Sequence, residues 1–287
     1  MGAILYSELY ADSLEIFANK NKTLEIQVLI EAAFKLTRAE FWMRKNEPVK
    51  NAYALRNFYW YRNRLLKNEP IAYILKKKEF YGETFYINKN VLIPRPETEI
   101  LVETAAQFIK KPAAVLDIGA GSGVIAIILA KRTGARVTAV EKSTKALYAL
   151  RKNIALHGVS DKVFPVCANV FPLNGEVFDM IVSNPPYIPE AEWRELDSTV
   201  RDYEPRVALV AGEDGLSIIR RIVAGAFRVL KPGGKLVMEI GYNQAQRVHE
   251  LLEKAGFRDI AFHEDYSHIP RVVEGNLMIN DIMNDEK

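Results

Sequence analysis

The sequence predicts an α/β protein: a doubly wound, Rossmann-like domain of seven strands preceded by a small N-terminal helical bundle. Three observations carry this expectation. Residues 3 to 67 show helical spacing with little strand character, strand-length apolar runs alternate with helical segments from residue 113 onward, and the first of those runs ends in a glycine-rich turn. At 287 residues the chain exceeds the usual length of one domain, and 49% hydrophobic with 26% charged residues describe ordinary globular packing. The expected division is 1–78 for a helical docking domain, 79–94 for a β-hairpin connector and 95–287 for the α/β domain.

Charge and rare residues narrow the classes of function. Residues 1–78 carry 14 Lys/Arg against 8 Asp/Glu, so the net charge of +3 leaves −3 on the remainder. A basic face of that size is ordinarily a solvated surface, and no stable nucleic-acid binding is expected. The single cysteine, Cys167, excludes an intramolecular disulfide, and His157, His249, His263 and His268 are scattered without metal-ligand spacing, so no metal is expected. No basic leader precedes Glu8 and Asp12, and no apolar run approaches spanning length. These features predict a cytoplasmic protein without membrane association; a monomer is the working expectation, which no feature of the sequence fixes.

The helical part reads as Ala3 to Ala18, then Leu24 to Leu36, then a short turn opened by a Thr37/Glu40 capping box, then, after a break at Asn46-Glu47-Pro48, a long helix to about Lys67. The last helix mixes Tyr53, Phe58, Tyr59, Trp60 and Tyr61 with Arg56, Arg62, Arg64 and Lys67. That composition suits a docking surface, although Leu55, Phe58, Tyr59 and Arg62 share one helical face and some aromatics must be core. From Pro70 the texture changes, and Glu79–Gly82 with Thr84–Asn88 predict a hairpin turned at Gly82-Glu83. Ile93-Pro94-Arg95-Pro96-Glu97-Thr98-Glu99 then imposes an extended approach to a helix over Thr98–Lys110.

Ala113–Ile118 is a buried-strand run followed at once by Gly119-Ala120-Gly121-Ser122-Gly123 and a helix from Val124 to Lys131. The glycines allow a sharp turn and the close approach of a ligand to backbone. The next strand, Arg136–Val140, ends at Glu141, about 20 residues beyond the first glycine, where a carboxylate suits ribose hydroxyls. Val124 stands where a dinucleotide fingerprint wants glycine or alanine, and no phosphate-binding lysine follows. The pattern therefore suits S-adenosyl-L-methionine, a nucleoside cofactor without phosphate. After a helix over Lys145–His157 comes a third strand, Val163–Cys167, and then Asn169-Val170, where Asn169 is either an acceptor for the adenine amino group, with Val170 or Phe171 flanking the ring, or a simple turn residue.

The fourth strand, Val177–Ser183, delivers Asn184-Pro185-Pro186-Tyr187 to the same carboxyl edge of the sheet. Two prolines lack backbone donors and fix φ, so the chain must open into a loop. Such a loop offers the Asn184 side-chain oxygen and the carbonyls of Asn184 and Pro185 as acceptors, with Tyr187 as a flat apolar wall, and a planar NH2 group is the matching guest. Asn184 there borders the cofactor site as well. A proline-rich turn with a packed tyrosine is the plain structural alternative. Further on, a helix over Leu216–Leu230, a turn at Lys231–Gly234, a strand over Lys235–Ile240, a helix over Gln244–Ala255 and strands near Ile260 and Val272 complete the alternation.

Over roughly residues 70 to 275 the sequence resembles the release-factor glutamine methyltransferase family, within the class I AdoMet-dependent methyltransferases. The resemblance rests on Pro70–Leu75, Glu79–Gly82, Ile93–Glu99, the glycine loop, Ser183–Ile188 and Gly212–Leu216. Glu141 and Asn169 stand where that family usually has Asp, and Lys76 where it usually has Gly. The resemblance implies methylation of the amide nitrogen of the glutamine in the Gly-Gly-Gln tip of class I peptide chain release factors, with Asn184, Pro185, Pro186 and Tyr187 as the catalytic loop. Other amino-methyltransferases share the Asn-Pro-Pro-Tyr loop, including ribosomal-protein glutamine and adenine-N6 enzymes, and a non-catalytic AdoMet-binding protein is the remaining alternative.

Overall fold

A computed structural model describes residues 4–18, 20–110, 113–173 and 175–278. The expected helix start at Ala3 and residues 279–287 of the expected α/β domain lie outside them. In chain order the first elements are α1 (Tyr6–Ile16), α2 (Thr23–Phe34), α3 (Arg38–Met43), α4 (Ala52–Leu66), α5 (Ile71–Leu75), β1 (Lys77–Phe80) and β2 (Glu83–Tyr86). There follow α6 (Thr98–Phe108), β3 (Ala114–Ile118), α7 (Val124–Thr133), β4 (Arg136–Glu141), α8 (Thr144–Leu156), β5 (Val163–Cys167) and β6 (Phe178–Ser183). The last are α9 (Ser198–Arg201), α10 (Ser217–Gly225), β7 (Leu230–Glu239), α11 (Ala245–Lys254), β8 (Phe257–Glu264) and β9 (Pro270–Leu277). Two compact units result: residues 1–77 with 198–203, and residues 78–197 with 204–287.

The helical unit closes on Leu9, Ile26, Leu29, Ile30, Phe41, Phe58 and Leu65, all buried. Thr37 and Glu40 form the expected capping box, the Thr37 hydroxyl accepting from Glu40 N at 3.2 Å while the Glu40 carboxylate accepts from Thr37 N at 2.7 Å. On α4 the aromatic residues divide. Phe58 is core, whereas Tyr53 and Trp60 are exposed one heptad apart on the same face, with Arg56 and Arg64 stacked on their rings at 5.3 and 4.5 Å. Sequence reading had no helix over 71–75. That helix ends at Lys76, which adopts the left-handed conformation, φ +56°, and donates its N–H to the Ala72 carbonyl.

Three local expectations are corrected. The hairpin turns at Tyr81-Gly82, one residue earlier than Gly82-Glu83; both residues have positive φ, which matches the twist of a two-residue turn. The helix expected to reach Leu230 ends at Gly225 and tightens into a 3₁₀ turn, Ala226–Arg228, where Gly225 lies against the Phe171 ring. The turn expected at Lys231–Gly234 is instead a bulge inside β7: Phe178 pairs with Leu230 but Met180 pairs with Lys235, so the extra residues loop out of the ladder.

The central sheet has seven strands in the order β5-β4-β3-β6-β7-β9-β8, parallel throughout except for β9, which runs antiparallel to both its neighbours. From β3 the chain first builds outward through β4 and β5, then returns to place β6 on the other side of β3. Ligands bind at the carboxyl ends of the strands at such a reversal. Register makes this concrete: Ile118 pairs with Ser183, and Ile118 also with Val140, so the chain leaves three adjacent strands at one height.

Candidate functional site

That shared height sets Gly119 beside Asn184 and Glu141 at the rim of one pocket. Gly119, Ala120, Gly121, Ser122, Glu141, Asn169, Val170, Asn184, Pro185 and Pro186 all line it. The lining encloses a cleft that opens to solvent, concave and largely apolar as small-molecule sites are. Gly123 and Tyr187, also expected there, lie outside the lining. A Cβ on Gly123 would stand 2.4 Å from Leu150 Cδ1, so the third glycine serves the close packing of α8 under the loop. Tyr187 is partly buried, and its ring packs against the sheet core.

The glycine loop spends its backbone donors internally. Gly119 N and Ala120 N both donate to the Val140 carbonyl at 2.9 Å, and Gly121 N donates to Glu141 Oε2 at 3.0 Å. A loop so arranged has no cluster of free N–H groups for a phosphate, and it carries a carboxylate where a phosphate would be repelled. What it presents is bare surface. A Cβ at Gly119 would meet nothing within 4 Å, and one at Gly121 only the Gly119 carbonyl at 3.9 Å, so side chains there would fill ligand space. Glu141 Oε1 accepts from Ser143 N at 2.8 Å. Each carboxylate oxygen thus keeps a lone pair for a ribose hydroxyl. On the opposite rim Val170 holds φ +77°, a strained conformation for a β-branched residue, directly after exposed Asn169. These residues fit a phosphate-free nucleoside.

The Asn184 end has a hydrogen-bonded foundation that sequence reading missed. Asn184 Nδ2 donates to Thr98 Oγ1 at 3.0 Å, and Thr98 Oγ1 donates to Glu239 Oε2 at 2.7 Å. The Tyr187 hydroxyl donates to the other carboxylate oxygen, Glu239 Oε1, at 3.3 Å. Thr98 and Glu239 are 2% and 1% exposed, so the link between them is shielded from solvent although Thr98 also borders the pocket. Burial pushes the Glu239 carboxyl up to about 7 against the lowering effect of its two hydroxyl partners, and burial beside Glu239 raises the Tyr187 phenol, which stays protonated. The signal in the sequence was a lone acid, Glu239, inside the apolar strand run Leu236–Ile240.

Two further contacts fix the loop. Glu204 is buried, pairs with Arg95 at 2.5 Å and accepts from Ile93 N at 3.1 Å, which anchors the extended Ile93–Pro96 segment ahead of Thr98. Gln244 Nε2 donates to the Tyr187 carbonyl at 2.9 Å, and Gly215 packs so tightly there that a Cβ would sit 2.2 Å from that carbonyl oxygen. The Gly212–Leu216 motif therefore supports the loop from behind. Among the described residues no group of three or more His, Cys, Asp or Glu is placed to hold a metal ion, and no helix is long and apolar enough to cross a membrane.

Comparison with known proteins adds independent findings. Residues 96–197 match the Methyltransferase small domain family, and residues 11–75 match the PrmC N-terminal domain family. The chain is 42% identical over 260 residues to the release factor glutamine methyltransferase of Geobacter sulfurreducens, covering 90% of each chain. It is 38% identical over 275 residues to the protein of that name from Clostridium acetobutylicum, covering 93% of this chain and 94% of the other. Among solved structures, a methyltransferase from Pyrococcus furiosus superposes with a TM-score of 0.54 at 22% identity, over 76% of this chain and 98% of that one. That likeness shows a common methyltransferase fold.

Proposed function

Since the chain belongs to the release factor glutamine methyltransferase family, we propose that it methylates the side-chain amide nitrogen, N5, of the glutamine in the Gly-Gly-Gln loop of class I peptide chain release factors, using S-adenosyl-L-methionine. The observation that carries the site assignment is the commitment of Asn184 Nδ2 to Thr98, which leaves Oδ1 as the acceptor available to the pocket.

S-adenosyl-L-methionine, when bound, supplies an electrophilic methyl group on a sulfonium sulfur. Glu141 would hold its ribose, Asn169 and Val170 its adenine, and the open faces of Gly119 and Gly121 its body. The substrate amide nitrogen is a poor nucleophile because its lone pair is delocalised into the carbonyl. Asn184 Oδ1 and the Pro185 carbonyl accept its two hydrogens, fix the plane of the NH2 group and favour pyramidalisation at nitrogen. The titratable groups lining the pocket are Glu141 and Lys142, both on the nucleoside side. Positioning and fixed dipoles are therefore the levers, with no side-chain base in the transfer itself; after the methyl group has moved from sulfur to nitrogen, one N–H proton leaves to water. Label from methyl-labelled S-adenosyl-L-methionine is expected on a class I release factor and not on the same factor with its tip glutamine replaced by alanine; equal labelling of both would contradict the proposal.

Glu141→Ala is expected to weaken S-adenosyl-L-methionine binding roughly tenfold or more, since it removes two charge-assisted acceptors and releases Gly121 N. Calorimetry giving unchanged affinity would remove Glu141 from the site. The helical unit is assigned to release-factor docking on its basic charge and on the exposed Tyr53 and Trp60 of α4. Replacing both by alanine is expected to raise the KM for the factor about tenfold, as loss of aromatic anchors does, with cofactor affinity unaltered. An unchanged KM would place docking elsewhere.

A further inference from the structure

We propose that Glu239 and Thr98 are positioning residues that lock the orientation of the Asn184 amide, so that its oxygen and not its nitrogen meets the substrate. The proposal rests on the reading of Asn184 as the substrate acceptor and extends it to two buried residues that touch neither substrate nor cofactor in that reading.

Hydrogen-bond polarity sets the orientation of the Asn184 amide. An amide side chain can present either its acceptor or its donors after a simple rotation, and only the acceptor suits an incoming NH2 group. Thr98 has a single hydroxyl hydrogen. As a carboxylate, Glu239 is an acceptor only, so at 2.7 Å it takes that hydrogen. The Thr98 oxygen is then left solely as an acceptor toward Asn184, and the contact at 3.0 Å can be satisfied only by Nδ2. Oδ1 is thereby committed to the pocket side. If Glu239 carries a proton, it can donate to Thr98, the Thr98 hydrogen is released, and the flipped amide becomes equally well bonded. Flipped, Asn184 presents N–H groups to the N–H groups of its substrate.

The surroundings of Glu239 let this lock titrate. The groups facing it are Thr98 and Tyr187 as hydroxyl donors, Glu97, which raises its affinity for a proton, and Arg271, which lowers it; Arg95 and Arg271 face Tyr187. With burial the carboxyl sits at about 7. The active form is the carboxylate, so the lock is absent well below that value and completes as pH rises through it. Folding has the opposite preference. A carboxyl whose folded value is raised gives its full stability below the unfolded value, and that stability is lost as pH rises through about 7. An ionised Glu239 is thus functionally useful and structurally unfavourable.

Single-turnover methyl transfer with release factor and saturating S-adenosyl-L-methionine, followed from about pH 5.5 to about pH 9 alongside melting curves, tests the proposal. Thr98→Val is expected to slow the chemical step up to about tenfold, the size of one net hydrogen bond, with the KM for the factor unchanged and with Thr98→Ser restoring the rate. Glu239→Gln, whose amide can offer Thr98 either a donor or an acceptor, is expected to be several-fold slower above pH 7, to lose the rise in rate through about 7 and yet to melt at a higher temperature than the parent at alkaline pH. Wild-type rates and pH profile in both Thr98→Val and Glu239→Gln, with a slow Asn184→Ala enzyme, overturn the lock and leave the Asn184 reading standing. A fast Asn184→Ala enzyme overturns that reading instead. Slower transfer in Thr98→Val that tracks a fall in melting temperature and is not restored by serine also overturns the lock, because a purely structural threonine behaves that way.

Discussion

Asn184→Ala is expected to lower the single-turnover rate of methyl transfer by about 10²- to 10³-fold, the loss seen when one preorganised polar group aimed at a transition state is removed. The size follows from where the contact gains strength. A planar substrate amide binds Asn184 Oδ1 with an ordinary hydrogen bond, whereas a nitrogen that is pyramidalising and gaining positive charge holds its hydrogens to that oxygen more tightly. S-adenosyl-L-methionine affinity is expected to change far less, because the nucleoside is held by the glycine loop and Glu141. The loop itself survives the substitution: Gln244 still fixes the Tyr187 carbonyl, Ile188 N still donates to the Leu209 carbonyl, and Ala211 N still donates to the Ile188 carbonyl. A folded Asn184→Ala enzyme with near-normal transfer would remove Asn184 from the chemistry. A fall in melting temperature with a proportionate loss of cofactor binding would make it a loop cap only.

Asp117→Asn is expected to raise stability at alkaline pH and to flatten its dependence on pH. Asp117 lies in β3 with no exposed surface, and neither carboxylate oxygen has a hydrogen-bond partner; the Ala126 N–H helps it only weakly. Burial raises its carboxyl from 3.8 to about 7. The sign follows directly: between these values the unfolded chain gives up a proton that the folded chain keeps, so stability falls as pH rises and levels off above about 7. The full fall is on the order of 4 kcal/mol, by the usual conversion of a pKa difference to free energy. Asparagine removes the charge but leaves a buried amide short of partners, at a cost of about 1–3 kcal/mol. The net gain above pH 7 is therefore expected to be a few degrees in Tm, with no gain below about pH 5. A variant less stable than the parent at every pH would show that the carboxylate has a stabilising partner.

The strands and helices of the α/β unit were legible because each had its own local signal. Ala114–Ile118 is a mostly apolar run that ends at glycine, Phe178–Ser183 stops at Asn-Pro-Pro, and Ser143 caps α8. Register then followed from topology, and the pocket followed from register. What stayed hidden depends on residues far apart in the chain. Thr98 and Glu239 are 141 positions apart, and each reads locally as something ordinary, a helix start and a strand residue. Glu204, paired with Arg95, is hidden for the same reason. The segment Ser198–Tyr203 groups with the helical unit, where the Tyr203 hydroxyl donates to the Lys67 carbonyl at 2.5 Å, and nothing in its own sequence announces that. The contact of the Tyr187 hydroxyl with Glu239, 52 positions further on, is hidden for the same reason.

The most direct test of the central claim is fragmentation mass spectrometry of a class I release factor after incubation with this protein and S-adenosyl-L-methionine. A loop that holds an NH2 group by two acceptors predicts a single added methyl group on the side-chain amide of the Gly-Gly-Gln glutamine, and none when the protein carries Asn184→Ala. A methyl group on any other residue, or a glutamine left unmodified by a folded enzyme that binds the cofactor, would contradict it.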